Sequence, residues 1–193
     1  SRLALCEKCM DFYDTRIIKS ASTAIILDNG EIREISNNFS SGAAVRALCS
    51  GSWGFVSIDG IETDEALRSA ERLADAANLK CPRDKIELAG IKKPSLHDLP
   101  VIKQDPADIS IEEKVKLLSE IDQNAKRDGI KSTSAIYSES EITVNYSNSE
   151  GLDCEYTLNR IGFSISAVAQ SEGVYQIGRE SRFGVAGFEF FKK

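Results

Sequence analysis

The sequence predicts an α+β fold: a largely antiparallel sheet, or sheets, with about three helices packed on one face as a two-layer sandwich. Several segments alternate apolar and polar residues with a period of two, and short glycine-containing turns separate them. Three other segments carry apolar residues at helical spacing. Of the 193 residues, 41% are hydrophobic and 28% are charged, so the chain can bury a core as one compact unit.

Residues 1–80 are interpreted as an N-terminal α/β part with two hairpins and a helix. Residues 2–12 have the spacing of an amphipathic helix end. In "TAIILDNGEIREI", Asn29-Gly30 stands between two apolar runs, which predicts a hairpin because both residues accept the positive φ of a type I′ turn. Residues 63–79 follow as a helix whose apolar stripe is rich in alanine.

The stretch "SSGAAVRALCSGSWGFVSI" (40–58) predicts the second hairpin, because apolar residues alternate on both sides of Ser50-Gly51-Ser52. Trp53 and Phe55 then share one face, which we expect to be the core side, and Gly54 permits a bulge or a close backbone approach. A phosphate-binding loop needs its glycines between a strand and a helix N-terminus, and these lie between two strands.

Residues 81–109 contain all four prolines and are interpreted as a proline-rich connection. Residues 110–193 are interpreted as a helix followed by an antiparallel meander of about four strands. The helix begins with the capping box Ser110-Ile-Glu-Glu113, and the strands are separated by turn sequences such as Asn-Ser-Glu-Gly.

Charge and hydropathy exclude several classes of protein. The net charge is −6 and the sequence pI is near 5.0, so we expect no nucleic-acid partner. No run approaches the roughly 18 apolar residues of a membrane span, and the N-terminus lacks the pattern of a signal peptide. We therefore expect a cytoplasmic protein without a membrane partner.

Catalytic motifs are missing from the sequence. No H-E-x-x-H, G-x-S-x-G, Walker or G-x-G-x-x-G motif is found. Cys6 and Cys9 form a C-x-x-C without the second pair that a structural zinc site needs, and His97 is the only histidine. We expect no catalytic, cofactor-binding or metal-binding residue in this chain, and hence no enzyme activity of the chain alone.

The stretch "SGAAVRALCSGSWGF" (42–55) resembles the G-x-x-V-R-x-L-x-x-G-x-W-G-F signature of the N-terminal domain of the TldD/PmbA family, the modulators of DNA gyrase. Further matches fall in the family's order: "LDNGEIREIS" before the signature, "DPADISIEEKVKLLSEIDQNAK" (105–126) and "VNYSNSEG" (144–151). The family is a class of metalloproteases whose zinc ligands lie on a C-terminal H-E-x-x-x-H motif and a further cysteine. Nothing here matches that motif.

The resemblance implies that the chain is the non-catalytic N-terminal portion of such a metalloprotease, without the C-terminal metalloprotease domain. It implies zinc in the missing half of an active parent, and a homodimer or a heterodimer with a related subunit. The parent would hydrolyse unfolded peptides, with Arg46 and Trp53 as candidates for the wall of the substrate-access cavity. A second interpretation leaves Trp53 in the core and Arg46 in an ion pair. The alternative function is a stand-alone peptide- or protein-binding module that adds an extended peptide to a sheet edge.

Overall fold

A computed structural model describes residues 10–80, 86–90 and 101–192. Within these ranges the chain forms six strands, two α-helices and two short 3₁₀ helices. The strands are β1 (Phe12–Asp28), β2 (Glu31–Cys49), β3 (Ser52–Asp59), β4 (Ile130–Asn148), β5 (Asp153–Ser171) and β6 (Val174–Val185). The helices are α1 (Asp64–Lys80), α2 (Ile111–Ala125) and the 3₁₀ turns Pro106–Asp108 and Phe188–Lys192.

The strands form one six-stranded antiparallel sheet in the order β3-β2-β1-β4-β5-β6. Strands β3 and β6 are therefore its edges. The α+β class is confirmed, but the expectation of about three helices is wrong for the described part, which has two. Of the helix predicted at residues 2–12, residues 2–9 lie outside the described residues, and Phe12 begins β1 instead of ending a helix.

Both predicted hairpins are confirmed. Asn29 and Gly30 have φ angles of 56° and 90°, and Ser50 and Gly51 have φ angles of 47° and 80°, so each pair forms a two-residue turn with positive φ at both positions. In the second hairpin Arg46 is paired with Phe55 and Leu48 with Trp53. The predicted meander has three strands and not about four, because β4 and β5 each continue for 19 residues.

The described residues fall into two compact units. The first unit consists of the described residues within 1–19, 40–97 and 143–157. The second unit consists of those within 20–39, 98–142 and 158–193. Four strands, β1, β2, β4 and β5, contribute residues to both units. The division of the chain at residues 80 and 110, drawn from composition, stays a prediction.

The core of the first unit lies between α1 and the strands β2 and β3. Val45 and Ala47 pack there against Ala66, Leu67 and Ala70 of the helix. Four residues of the predicted alanine-rich stripe are thus buried, Ala66, Leu67, Ala70 and Ala74, whereas Leu73 and Ala77 are exposed.

The core of the second unit forms around α2. Ser110 caps this helix as predicted, since its hydroxyl accepts a hydrogen bond from the Glu113 N–H at 3.2 Å. Leu118 is fully buried against side chains from β1, β4 and β5, which are Ile25, Leu27, Ala135, Tyr137 and Ile161. The aromatic residues at the end of the chain close this core, with Phe188 buried and Phe190 and Phe191 packed against it.

No helix in these three ranges is both long and apolar enough to span a bilayer.

Candidate functional site

The candidate site lies in the first unit, on the side of β2 and β3 that faces away from α1. Alternation along a strand sends neighbouring side chains to opposite faces. On β3, Gly54 faces the helix, so that Trp53 and Phe55 face the other way. Trp53 is 39% exposed and Phe55 is 58% exposed. The two residues share one face as predicted, but the expectation that it is the core side is wrong.

The reason is the closeness of α1 to the hairpin. A Cβ atom built on Gly54 would lie 1.7 Å from the carbonyl oxygen of Ala70. Only a residue without a side chain fits between β3 and the helix backbone, so the glycine must take the helix-facing position. The tryptophan next to it is then forced onto the open face.

Arg46 lies on the same open face, at the centre of a group that we call the Arg46 cluster: Asp14, Arg46, Trp53 and Tyr146. The guanidinium of Arg46 binds both carboxylate oxygens of Asp14: Nε donates to Oδ1 at 2.9 Å and Nη2 donates to Oδ2. The guanidinium carbon also lies 5.3 Å from the centre of the Trp53 ring, in a cation–π arrangement. The interpretation of Arg46 as an ion-paired residue agrees with this geometry.

Asp14 is the buried member of the cluster, with a relative exposure of 4%. Its Oδ2 also accepts a hydrogen bond from the Tyr146 hydroxyl at 3.2 Å. The hydrogen bond from Arg46 to Asp14 raises the pKa of the guanidinium, while burial acts in the opposite direction. Burial and, next, the Asp14 charge raise the pKa of Tyr146, so its hydroxyl stays protonated and donates.

The Trp53 ring is held from a second side by Phe12. The two ring centres lie 6.0 Å apart with planes at 76°, an edge-to-face contact. A shallow cavity of about 240 Å³ opens beside the cluster, lined by Asp14, Arg16, Ala44, Arg46, Phe55 and Tyr146. The arrangement can offer an incoming chain an aromatic surface and a half-exposed guanidinium of fixed orientation.

Sequence reasoning found Arg46 and Trp53 and missed Asp14 and Tyr146. Asp14 stands 32 residues before Arg46 and 132 before Tyr146, so no local spacing joins them. The one available signal was that Asp14 lies two residues after Phe12 and therefore on the same face of β1. A carboxylate buried beside an apolar side chain needs a partner. Cys6, Cys9 and His97 lie outside the described residues. Among the residues that the structure describes, no three His, Cys, Asp or Glu side chains are grouped to hold a metal ion.

We predict that Arg46→Ala destabilises the protein by about 1–2 kcal/mol, because it leaves the Asp14 carboxylate buried with one hydrogen bond. This expected loss of unfolding free energy is smaller than the loss for a fully buried ion pair, because the guanidinium is half exposed. Urea unfolding followed by far-UV circular dichroism measures the change. Arg33→Ala is the matched control, since the Arg33–Asp28 pair is exposed on both sides and we expect a cost below about 0.5 kcal/mol. Equal losses in the two variants would contradict the role of Arg46.

Comparison with known proteins agrees with this fold. The chain matches PmbA/TldA metallopeptidase domain 1 over residues 13–77 and the PmbA/TldA metallopeptidase central domain over residues 104–193. Both matched domains are parts of one class of metallopeptidase, and together they cover about four fifths of the chain. The chain belongs to the PmbA/TldD family and corresponds to an N-terminal portion of its members.

Relatives and solved structures agree with this assignment. The chain is 32% identical over 185 residues to a metalloprotease of Methanocaldococcus jannaschii, covering 94% of this chain and 41% of that protein. It is 31% identical over 180 residues to a metalloprotease of Archaeoglobus fulgidus, covering 93% of this chain and 40% of that protein. A crystal structure from Bacteroides thetaiotaomicron, named for modulation of DNA gyrase, matches with a TM-score of 0.74 at 14% identity, over 93% of this chain and 42% of that one. The chain thus spans about two fifths of the length of these proteins.

Proposed function

We propose that this chain is the non-catalytic N-terminal portion of a PmbA/TldD-type metalloprotease, where it forms part of the substrate-access cavity and of the dimer interface. In this proposal the whole protein hydrolyses unfolded peptides in the cytoplasm, as a homodimer or with a related subunit. Zinc belongs to the part of the parent outside this sequence. Family membership supports the assignment, because the matched domains are the first and central ones.

The observation that carries the proposal is the apolar surface of β6 in the second unit. Four apolar side chains of one face of this edge strand are 45–64% exposed. They form two pairs, Tyr175 with Ile177 and Phe183 with Val185, and Arg179 and Ser181 lie between the pairs on the same face. Exposed apolar pairs on a strand that has no further neighbour among the described residues favour association with another chain or segment. Phe188, in contrast, is buried, so the exposure is a property of β6 and not of the whole C-terminal region. This surface supports an interface role.

The Arg46 cluster supports the cavity-wall role of the first unit. An unfolded peptide presents apolar side chains and main-chain carbonyls, which an aromatic face and a guanidinium can bind without selecting one sequence. The contacts of Trp53 with Phe12 and Arg46 fix the indole before a peptide arrives, which lowers the entropy lost on binding.

We expect Trp53→Ala in the whole protein to raise KM for an unfolded peptide and to leave kcat nearly unchanged. The physical reason is that a wall residue binds the substrate and the transition state equally, so kcat/KM falls by roughly tenfold through KM alone. Steady-state hydrolysis of a labelled casein-type peptide by the zinc-loaded protein measures both constants.

Leu79→Ala is the control for that experiment, since Leu79 is 86% exposed on α1 and is not part of the cluster. It should leave kcat and KM unchanged. If Trp53→Ala also leaves KM unchanged, the cavity-wall role of Trp53 is wrong.

The second candidate function is a stand-alone module that binds an extended peptide at a sheet edge. The outer edge of β6 is the observation that favours it, because no other described strand pairs with β6 on that side and an added strand can hydrogen-bond there. The two functions predict different association states for the chain by itself. A stand-alone module is stable and monomeric by itself, whereas a protease portion self-associates or precipitates through β6 when its partner is absent. Sedimentation velocity of the 193-residue chain distinguishes the two.

A further inference from the structure

A second polar site lies in the second unit and shares no residue with the Arg46 cluster. It is a cavity of about 360 Å³ between residues of β1, β2, α2, β4 and β5, which we call the Lys114 cavity. Its polar and aromatic lining includes Phe39, Asp105, Lys114, Glu139, Glu141 and Asn159. The cavity is large enough for one amino-acid residue with its flanking peptide groups.

Its base is a buried ion pair. The Lys114 ammonium donates to Glu139 Oε1 at 2.7 Å, and the two side chains are 4% and 11% exposed. The other carboxylate oxygen of Glu139 accepts the hydroxyl of Tyr137, so both oxygens have a partner. The ammonium has three N–H donors, and among the described residues only one of them is bound. Lys114 therefore has donor capacity left for a ligand.

Asn159 supplies an independent sign of a ligand. It lines the cavity, it is 5% exposed, and its Oδ1 is buried without a hydrogen-bond partner in the part of the chain that the structure describes. A buried unpaired amide oxygen costs free energy, and such groups are rare in folded proteins. A ligand group that accepts a hydrogen bond from the Lys114 ammonium and donates one to Asn159 Oδ1 removes this cost. A main-chain peptide group has both the acceptor and the donor that this requires.

The rim of the cavity indicates the charge of the ligand's side chain. The Lys114–Glu139 pair is neutral overall, which leaves the exposed carboxylates Asp105 and Glu141 in excess. Phe39 also lines the cavity and is 82% exposed, an unusual exposure for an aromatic side chain. Carboxylates together with an aromatic face are the groups that bind a guanidinium, through hydrogen bonds and cation–π contact.

We propose that the Lys114 cavity binds an arginine residue of an extended peptide, with the peptide group at Lys114 and Asn159 and the guanidinium at Phe39, Asp105 and Glu141. This deepens the proposed function and rests on it in one respect, because it takes a peptide as the ligand. It adds a preference for arginine, for which Arg46 and Trp53 offer no basis.

The test is isothermal titration of the 193-residue chain with acetyl-Ala-Arg-Ala-amide and with its citrulline analogue, which has nearly the same shape and no charge. We expect the arginine peptide to bind about tenfold more tightly, the sum of a cation–π contact and two exposed ionic contacts. Phe39→Ala and Glu141→Gln should each lower the affinity for the arginine peptide by roughly twofold to fivefold and leave the affinity for the citrulline peptide unchanged. Glu120→Gln, an exposed residue of α2 outside the lining, is the control and should bind like the unmodified chain.

Asn159→Leu tests the main-chain contact separately. It should weaken both peptides to a similar degree while the melting temperature is kept or raised, because a buried unpaired polar group has been replaced by an apolar one. Equal affinity for the two peptides, or an arginine affinity unaffected by both rim variants, overturns this proposal and leaves the role of Trp53 intact. Absence of any binding at millimolar peptide also overturns it. If Trp53→Ala leaves KM unchanged while the arginine peptide still binds more tightly than the citrulline peptide, the cavity-wall proposal is overturned instead.

Discussion

Gly54→Ala is expected to cost about 3 kcal/mol or more of unfolding free energy, with loss of native structure first in the unit that contains α1. The added Cβ would lie 1.7 Å from the carbonyl oxygen of Ala70 and 2.9 Å from the amide nitrogen of Ala74. These are backbone atoms, so no side chain can rotate away, and the helix itself must be displaced. Displacement of α1 also opens the contacts of Ala66, Leu67 and Ala70 with β2.

Urea unfolding followed by circular dichroism measures the total loss, and the fluorescence of Trp53, the only tryptophan, follows the first unit. Gly178→Ala is the control, because a Cβ at this position of β6 meets no atom within 4 Å. We expect it to change stability by less than about 0.5 kcal/mol, since it only adds a methyl group to an exposed strand. Similar stability of the two variants would show that α1 does not lie so close to β3.

Lys114→Met is expected to destabilise the protein by about 3–5 kcal/mol. The substitution leaves the Glu139 carboxylate buried without its cation, which is the costly way to break a buried pair. Burial and the neighbouring Glu139 raise the pKa of Tyr137 well above its ordinary value, so the hydroxyl stays protonated and remains the one donor to that carboxylate. A single hydroxyl cannot replace an ammonium as a partner for a buried charge.

The triple variant Lys114→Met, Glu139→Leu and Tyr137→Phe tests this explanation. It removes every polar member of the group together, and we expect its stability to return to within about 1 kcal/mol of the unmodified chain. Arg182→Met is the exposed control, because the Arg182–Glu180 pair is more than half exposed on both sides and should cost less than about 0.5 kcal/mol. If the triple variant were as unstable as Lys114→Met, the loss would come from packing and not from an unpaired charge.

The elements that could be predicted from the sequence are those defined by residues close together in the chain. Asn29-Gly30 and Ser50-Gly51 have the φ preferences of their turns whatever surrounds them, and both hairpins formed there. Ser110 caps α2 through a residue three positions away. The order of motifs along the chain was enough to indicate the family, and the matched domains agree with it.

The face of β3 that carries Trp53 could not be predicted from nearby residues. Alternation correctly put Trp53 and Phe55 on one face, but a period of two is symmetrical between the two faces of a strand. The general tendency to bury tryptophan favoured the core side. The deciding factor was Gly54, whose closeness to α1 depends on a helix that follows ten residues later in the chain.

The sequence by itself determined the turns, the helix cap, the α+β class and the membership of the PmbA/TldD family. Tertiary structure alone decided that Trp53 faces outward, that Asp14 meets Arg46 and Tyr146, and that Lys114 is buried beside Glu139 and Tyr137. The physical reason is the range of the interactions. Turn and cap preferences act over two to four residues, whereas the face that a strand buries and the partner that a charge finds depend on which distant segments pack together.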